Sequence, residues 1–379
     1  MKICFTGDVF LGGDLNHRKH NNLVKAKIFN EADIRIINLE QPISNNNYVA
    51  EKPTLYTDSH ALNQLNELKI NAVNLANNHI QDKGLSGINE TINHLKSIHI
   101  GHFGAGDNIS IAEEPHWLND EIALLGYCEF DKSYLRQVEV ADKDNAGINP
   151  LRLSKIKQDL DNLPDGRKAI LYFHWGMEHV WLPPVNDISL AKKLLEDKRV
   201  ITIIGMHSHC AQGVIRHAGK KAYMSLGNFI FPNFYIKPRT QIYYPSESDK
   251  LQVKYVTRQY HKVYKETYKK WRLVNRISII LDFCTDSYVL KPTFVIQDDK
   301  TPEVDILKGL ALKIFTIWFN SMSLIYKLPK PIYTSIWQIH AFQVRLTWQI
   351  KIMIFHISQI GIRGYIKNIL NYVEGKIKK

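Results

Sequence analysis

Short apolar runs alternate with stretches of helical periodicity along most of the chain. Between the runs lie amphipathic stretches, for example 61–68, 87–96, 154–163 and 189–196. This alternation predicts an α/β layered sandwich. A later pair of runs, 276–283 and 288–296, is joined by the turn-rich CTDS and predicts a closing hairpin. The earlier runs predicted as strands are 3–6, 34–39, 72–75, 98–103, 122–128, 169–173, 200–204 and 222–226.

Potential metal ligands follow five of these predicted strands. In layered α/β folds, sites form in the crevice beyond the carboxyl ends of the strands, so we expect these side chains to lie together. Carboxylate, amide and imidazole groups form a mixed oxygen and nitrogen shell, which suits Mn, Fe or Zn better than Mg or Ca. The residues are Asp8 after the first run, Glu40 after the second, Asn77, Asn78 and His79 after the third, His174 after 169–173, and His207 and His209 after 200–204.

Each of these residues also has a purely structural explanation. Asp8 could be a turn residue, and the two asparagines could cap a helix. A single histidine is more often a satisfied polar group than a ligand. The pair His207 and His209 is stronger evidence, because alternate residues of a strand face the same side. Five successive strand ends of this kind favour one common site over five separate structural roles.

Six ordered motifs resemble those of the CapA family of capsule and poly-γ-glutamate synthesis proteins. The motifs are GDVFLGG, NLEQP, NLANNHIQDKG, HWGMEH, GMHSHCAQG and SLGNFIF. The domain of this family is similar to the calcineurin-like metallophosphoesterases. The resemblance covers residues 1–300 and implies a four-layer αββα sandwich with a metal centre at one edge. Residues 301–379, called the tail below, are predicted to form a C-terminal helical appendage.

The resemblance also implies a role for each matching residue. Glu40 stands at the place of a carboxylate that bridges two metal ions. His79 stands at the place of a general acid or transition-state contact, with Asp82 placed to orient it. Two departures leave open whether one or two ions bind, because Phe10 replaces a ligand histidine and the bridging residue is Glu rather than Asp. The other implied ligands are Asp8 and His209 for the first ion and Asn78, His174 and His207 for the second.

The implied chemistry is metal-assisted hydrolysis of a phosphoester or related bond. A bound metal lowers the pKa of water towards about 7, and His79 could protonate the leaving group. The alternative is a non-catalytic metal-binding subunit of a membrane-associated complex that synthesises or exports a polymer. The motifs do not separate these two interpretations.

The segment 232–272 interleaves tyrosine with lysine and arginine and follows SLGNFIF, so we expect it near the rim of the site. It is predicted to clamp an anionic polymer or a phosphorylated glycan, with Asn228, Lys254 and Arg258 as substrate-binding residues. The alternative is a solvated helix with aromatic residues docked on the body. Nucleic-acid binding is not expected, because no recognised module accompanies the charge.

The basic charge of the chain is concentrated in the tail. The net charge is +12, and residues 306–379 carry eleven Lys and Arg against one Glu. Their longest early uncharged run, 314–326, is short of the about 20 residues that cross a bilayer. The tail is therefore predicted to lie flat on an anionic membrane, or alternatively to pack on the body or on a second protomer. Its predicted apolar stripe is Leu346, Ile350, Met353, Ile357 and Ile360.

The cysteines and the N-terminus indicate a reducing compartment. Cys4, Cys128, Cys210 and Cys284 are far apart and form no metal-finger spacing, so free buried thiols are expected. The N-terminus enters a predicted strand at once, without the charged and apolar regions of a signal peptide. We therefore expect a cytoplasmic protein that is peripheral at the inner membrane face.

Overall fold

Two β-sheets stack face to face in the computed structural model of the chain, which describes residues 1–16, 22–48, 54–130, 138–236 and 265–377. In chain order the strands are β1 (Lys2–Val9), β2 (Ile34–Leu39), β3 (Ala72–Asn74), β4 (Gly101–Phe103), β5 (Ala105–Gly106), β6 (His116–Trp117), β7 (Ile122–Cys128), β8 (Gly147–Ile148), β9 (Lys168–His174), β10 (Val200–Met206), β11 (Val214–His217), β12 (Lys220–Tyr223), β13 (Asn228–Ile230), β14 (Phe234–Ile236), β15 (Thr267–Lys269), β16 (Ile277–Cys284), β17 (Val289–Gln297) and β18 (Val304–Ile306).

The helices flank the sheets and continue into the tail. A 3-10 turn covers Gly13–Leu15, and the long final helix is broken at Gly361, whose backbone is not helical (φ 72°, ψ 163°). The α-helices are α1 (Lys27–Asn30), α2 (Ala61–Glu67), α3 (Gly84–Ser97), α4 (Ile109–Ala112), α5 (Leu153–Asp161), α6 (Val185–Leu195), α7 (Leu273–Arg276), α8 (Gly309–Ile325) and α9 (Lys330–Ile377).

The central strands of each sheet pair in parallel, so their carboxyl ends lie at the same edge of the sheet. The first sheet has the order β18-β17-β16-β1-β2-β3-β4, with β13 also paired to β1, and β1 to β4 run parallel. The second sheet has the order β11-β12-β10-β9-β7-β6, and β7, β9 and β10 run parallel. These central strands are apolar along nearly their whole length because both of their faces are buried.

Three apolar cores separate four layers, which confirms the predicted αββα sandwich. The first core lies between α1 to α3 and the first sheet, the second between the two sheets, and the third between the second sheet and the outer helices. Neighbouring residues of β7 show the alternation, because Leu124 belongs to the second core and Leu125 to the third. Representative members are Phe29, Leu65 and Ile37 in the first core, Phe5, Ile170 and Ile204 in the second, and Ile156, Leu171 and Leu194 in the third.

One predicted strand was placed too early. The prediction began at residue 98, but β4 begins at Gly101. Ile98 instead caps the C-terminus of α3, and His99 turns the chain with a φ of 58°. Apolar residues that close an amphipathic helix cannot be distinguished by composition from the start of a buried strand. The predicted hairpin is confirmed as the antiparallel pair β16 and β17.

The inner face of the tail packs on the body. Phe319 of α8 joins the core between the sheets, and Tyr326 and Tyr333 join the core outside the second sheet. The hydroxyl of Tyr326 accepts a hydrogen bond from the Gly213 N–H (3.0 Å). The hydroxyl of Tyr333 donates to the Pro183 carbonyl (2.7 Å). The inner face of the tail therefore packs on the body, which was one of the two interpretations of the tail sequence.

The outer face of the tail is apolar and exposed. Sixteen of the 25 large apolar side chains that are exposed in the described ranges belong to residues 310–370. Within the described part of the chain, no helix is both long and apolar enough to cross a membrane. The tail therefore has two apolar faces, and only one of them is covered by the body.

We expect Tyr326→Phe to lower the free energy of unfolding by about 1–3 kcal/mol, because the buried Gly213 N–H would lose its acceptor. Urea unfolding of the full chain measures this change. Tyr235→Phe, at an exposed tyrosine, is the control and should change the free energy by less than about 0.5 kcal/mol. Equal stability of the two variants would show that the tail is not docked through this hydroxyl.

Candidate metal centre

Six predicted ligands meet at the edge where the central strands end. Asp8 lies near the end of β1, Glu40 directly follows β2, and His174 is the last residue of β9. Asn78 lies in the loop after β3, and His207 and His209 follow β10. Parallel pairing of these strands within each sheet brings all six side chains together. All six are buried, so the site lies inside the edge of the sandwich rather than on its surface.

One group of donor atoms surrounds Nε2 of His174. This atom lies 2.7 Å from Oδ1 of Asn78 and 3.0 Å from Nδ1 of His207. It also lies 3.7 Å from Oε1 of Glu40. Donor atoms about 2.1 Å from one transition-metal ion lie roughly 3.0–3.4 Å from one another. The 3.0 Å distance lies in this range and the other two lie within about 0.3 Å of it, so small shifts of Asn78 and Glu40 would let the four side chains hold one ion. We call this group the complete ligand set.

A second group shares Glu40 with the first. Ligand atoms of Asp8, Glu40 and His209 lie within 4.8 Å of one another. Oε1 of Glu40 is 3.7 Å from Nε2 of His209, so one carboxylate faces both groups. Phe10 instead packs on Phe231, with the ring centroids 5.5 Å apart. This second group, the short ligand set, has three donors where the complete set has four.

Hydrogen bonds fix the orientation of the ligands. Nδ2 of Asn38 donates to Oδ1 of Asp8 (2.8 Å), and Oδ1 of Asn38 accepts from Nδ2 of Asn74 (2.8 Å). Nδ1 of His209 lies 2.9 Å from Oδ1 of Asn228, which leaves its Nε2 for a metal ion. Asn228, predicted to bind substrate, thus lies buried behind a ligand. Asn38 and Asn74 were not predicted, although Asn38 stands within the NLEQP motif.

Burial controls the protonation of the ligands. It raises the pKa of Asp8 to about 7, although hydrogen bonds from Asn38 and from the His207 N–H lower it. Burial also lowers the pKa of His209 to about 4, so this imidazole is neutral near pH 7. A neutral imidazole is the form that binds metal, and a cation at the centre favours the carboxylate of Asp8.

The backbone of the histidine pair differs from the expectation. His207 and His209 were predicted as alternate residues of one strand, but β10 ends at Met206. Both histidines have positive φ angles, 88° and 53°. Non-glycine residues adopt this region rarely and at an energetic cost, and such strain concentrates at functional sites. A tight loop, rather than strand alternation, aims the two imidazoles at one centre.

His79 and Asp82 form a buried pair beside the ligands. Nδ1 of His79 lies 2.6 Å from Oδ2 of Asp82, and the same carboxylate oxygen accepts from the Leu55 N–H (2.7 Å). With Nδ1 held by a carboxylate, Nε2 is the atom that can exchange a proton with a bound molecule. His79 is also close enough to His209 to contribute to the lowered pKa of that imidazole. The predicted relation between His79 and Asp82 is present in the structure.

An aromatic and charged rim borders the short ligand set. Trp271 and Lys269 belong to the segment 232–272, which was expected near the rim, whereas Glu178 and His179 were not predicted. Trp271 packs on His209, and His179 packs on both rings, with centroid distances of 5.2–5.9 Å. Burial alone would raise the pKa of Glu178, but the charges of the surrounding histidines and of Lys269 lower it to about 2. Glu178 and His179 stand in the HWGMEH motif, which was the available signal. Lys254 and Arg258, predicted to bind substrate, lie outside the described residues.

Comparisons with known proteins agree with these motifs. A family model described as bacterial capsule synthesis protein PGA_cap matches residues 2–233. The PGA biosynthesis protein CapA of Bacillus subtilis (strain 168) is 26% identical over 259 residues, which cover 63% of this chain and 65% of that protein. The capsule biosynthesis protein CapA of Bacillus anthracis is 26% identical over 170 residues, 44% of this chain and 41% of that protein. The chain therefore spans less than two thirds of either relative.

A solved structure, the calcineurin-like phosphoesterase YfkN from Bacillus subtilis, also aligns with the chain. The alignment has a TM-score of 0.35 and 12% sequence identity, and it covers 81% of this chain and 88% of that one.

We expect the purified chain to bind about one to two transition-metal ions, with the complete ligand set holding its ion more tightly than the short set. Replacing both His207 and His209 by alanine should remove most of the metal, because each ligand set loses an imidazole. Elemental analysis of protein purified without chelator measures the content. The exposed His217 provides the control variant His217→Ala, and wild-type metal content in the double variant would contradict the assignment.

Proposed function

The chain belongs to the bacterial capsule synthesis protein PGA_cap family, and we propose that it is a metal-dependent hydrolase that cleaves a phosphoester or related bond in an anionic surface polymer. The observation that carries this proposal is the carboxylate of Glu40 between two ligand groups, with a buried His–Asp pair beside them. The names of the two relatives, which refer to PGA and capsule biosynthesis, support a surface polymer as the substrate.

The proposed reaction divides its tasks among the residues of the site. A divalent Mn, Fe or Zn ion supplies Lewis acidity and an activated water when it is bound. Asn78, His174 and His207 would hold it together with Glu40. Nε2 of His79 donates a proton to the leaving group, and Asp82 fixes the tautomer and orientation of the imidazole.

A second candidate function follows from the short ligand set. Because Phe10 provides no donor, the chain could hold a single structural ion and serve as a non-catalytic subunit of a polymer synthesis or export complex. The two candidates differ in one measurable property. The hydrolase must turn over a substrate, whereas the subunit binds metal without turnover.

We also propose that the tail binds the surface of an anionic membrane on its cytoplasmic side. The exposed apolar positions of α8 repeat with helical spacing, and so do those of α9. Exposed basic residues flank them, including Arg345 and Lys351. The four cysteines are free thiols, which suits the reducing cytoplasm. The outer apolar positions include Leu310, Ile314, Ile317 and Leu324 on α8 and Ile332, Ile339, Phe342, Leu346, Ile350 and Met353 on α9.

For the catalytic proposal, the metal-loaded wild type should hydrolyse bis(p-nitrophenyl) phosphate or γ-glutamyl-p-nitroanilide. His79→Gln should keep its metal and lower kcat by about 10²–10⁴-fold, because proton transfer to the leaving group is lost. His60→Gln, at an exposed histidine, is the control. Metal binding by the wild type with no turnover of either probe would favour the non-catalytic subunit.

For the membrane proposal, the full chain should sediment with phosphatidylglycerol vesicles and not with phosphatidylcholine vesicles, and salt should weaken the binding. Arg345→Gln with Lys351→Gln should weaken it about tenfold or more, since each basic residue near an anionic leaflet contributes about 1 kcal/mol. Replacing Leu346, Ile350 and Met353 by glutamine should also weaken it.

The control for the apolar triple variant changes three exposed apolar residues of the body, Leu273, Val274 and Val289, to glutamine. Substitutions are preferable to removal of the tail, because removal would uncover the third core around Tyr326 and Tyr333. Equal sedimentation of the tail variant and the body variant would contradict membrane binding through the tail.

A further inference from the structure

Lys269 occupies an unusual position at the end of β15. Its Nζ atom lies 4.7 Å from the ring centroid of Trp271 and 5.9 Å from that of Trp348, which belongs to α9 of the tail. Across the ranges that the structure describes, this ammonium group makes no hydrogen bond and no ion pair. Two indole rings hold the cation in place through cation–π attraction.

A single indole ring separates Lys269 from the metal centre. The ring of Trp271 packs against His209, a member of the short ligand set, with 5.2 Å between the ring centroids. Trp271 also packs on Phe231, which contacts the same histidine. On the other side, His179 bridges the ring of Trp271 and the ring of Trp348 at 5.9 and 6.2 Å. The ammonium group therefore lies one aromatic ring away from the short ligand set.

Two cations and one acid are the charged neighbours of Lys269. Burial lowers the pKa of its ammonium group most, and the charges of Arg272 and Lys351 lower it further. Glu178 is the acidic neighbour and offsets part of this effect, but it forms no ion pair with Lys269 among the described residues. A lysine with a purely structural role usually pairs with a carboxylate when its charge is removed from water. Lys269 instead lies over two indole rings, and its charged neighbours are Glu178, Arg272 and Lys351.

We infer that Lys269, Trp271 and Trp348 form a subsite that binds an anionic group of the substrate next to the bond positioned at the metal centre. The ammonium group would donate charge-assisted hydrogen bonds to a carboxylate or phosphate oxygen. Trp271 is buried and would hold the lysine in position, whereas the half-exposed indole of Trp348 would pack against the non-polar part of the adjoining polymer unit. This inference rests on the proposed function and adds to it that the tail contributes a wall of the substrate site.

Isothermal titration of the full, metal-loaded chain tests the subsite without requiring turnover. The probes are a γ-glutamate oligomer, which carries carboxylates, and inorganic phosphate. The wild type should bind at least one of them, and the preferred probe identifies the anionic group. Lys269→Met should weaken that binding about tenfold to hundredfold, the effect of losing a hydrogen bond to a charged group. Lys269→Arg should retain most of the affinity.

The matched control is Lys270→Met, at the next residue, whose exposed side chain pairs with Asp299. It should leave both the affinity and the metal content unchanged. Trp348→Leu should weaken binding of the preferred probe in the full chain while the metal content stays at the wild-type level. This second variant tests the contribution of the tail separately from the charge of Lys269.

Three results would overturn the inference. The wild type could bind neither probe, or Lys269→Met could bind with an affinity within twofold of the wild type. Alternatively, Lys269→Met could lower only the stability of the chain, which would make the lysine a clamp for docking the tail. A wild type that binds a probe but hydrolyses no substrate would instead contradict the proposed function. The failure of the subsite and the failure of the proposed function are therefore distinguishable.

Discussion

Two buried carboxylates are the constraint on which the rest of this structure depends. Asp8 and Glu40 lie inside the sandwich, where an uncompensated negative charge is strongly unfavourable. Parallel strands in both sheets deliver imidazoles to the same edge, and Asn38 donates to Asp8. A divalent cation would complete the compensation, which explains why buried acids, amides and neutral imidazoles are assembled here rather than an apolar core.

The architecture was predictable because its signal is local. Buried parallel strands are short apolar runs, and each run that ends in a polar residue marks the edge where a site can form. The boundary of β4 was less predictable, because the apolar end of α3 leads directly into it. The same limitation applies to His207 and His209, whose left-handed backbone has no signature in non-glycine residues.

The rim of the site was predicted only in part. Trp271 and Lys269 lie in the segment 232–272, which was expected there, but the other members of the rim are distant in the chain. Lys269 and Trp348 meet only when α9 packs across the body, and composition does not encode that contact. The HWGMEH motif did contain Glu178 and His179, but only the structure shows that they lie close enough to Lys269 for its charge to shift their pKa values. Phe10 shows the reverse case, because its departure from the family pattern was visible in the sequence, and the structure shows where its ring packs, on Phe231.

Helix α9 connects the two surfaces that this chain presents. Residues two positions apart on a helix point about 200° apart, so Trp348 can face the body while Leu346 and Ile350 face outward. One helical turn therefore contributes to the rim of the metal centre on one side and to the proposed membrane surface on the other. If both proposals hold, the substrate subsite lies at the membrane-facing side of the sandwich. A polymer chain still held near the bilayer would then reach the metal centre along the tail.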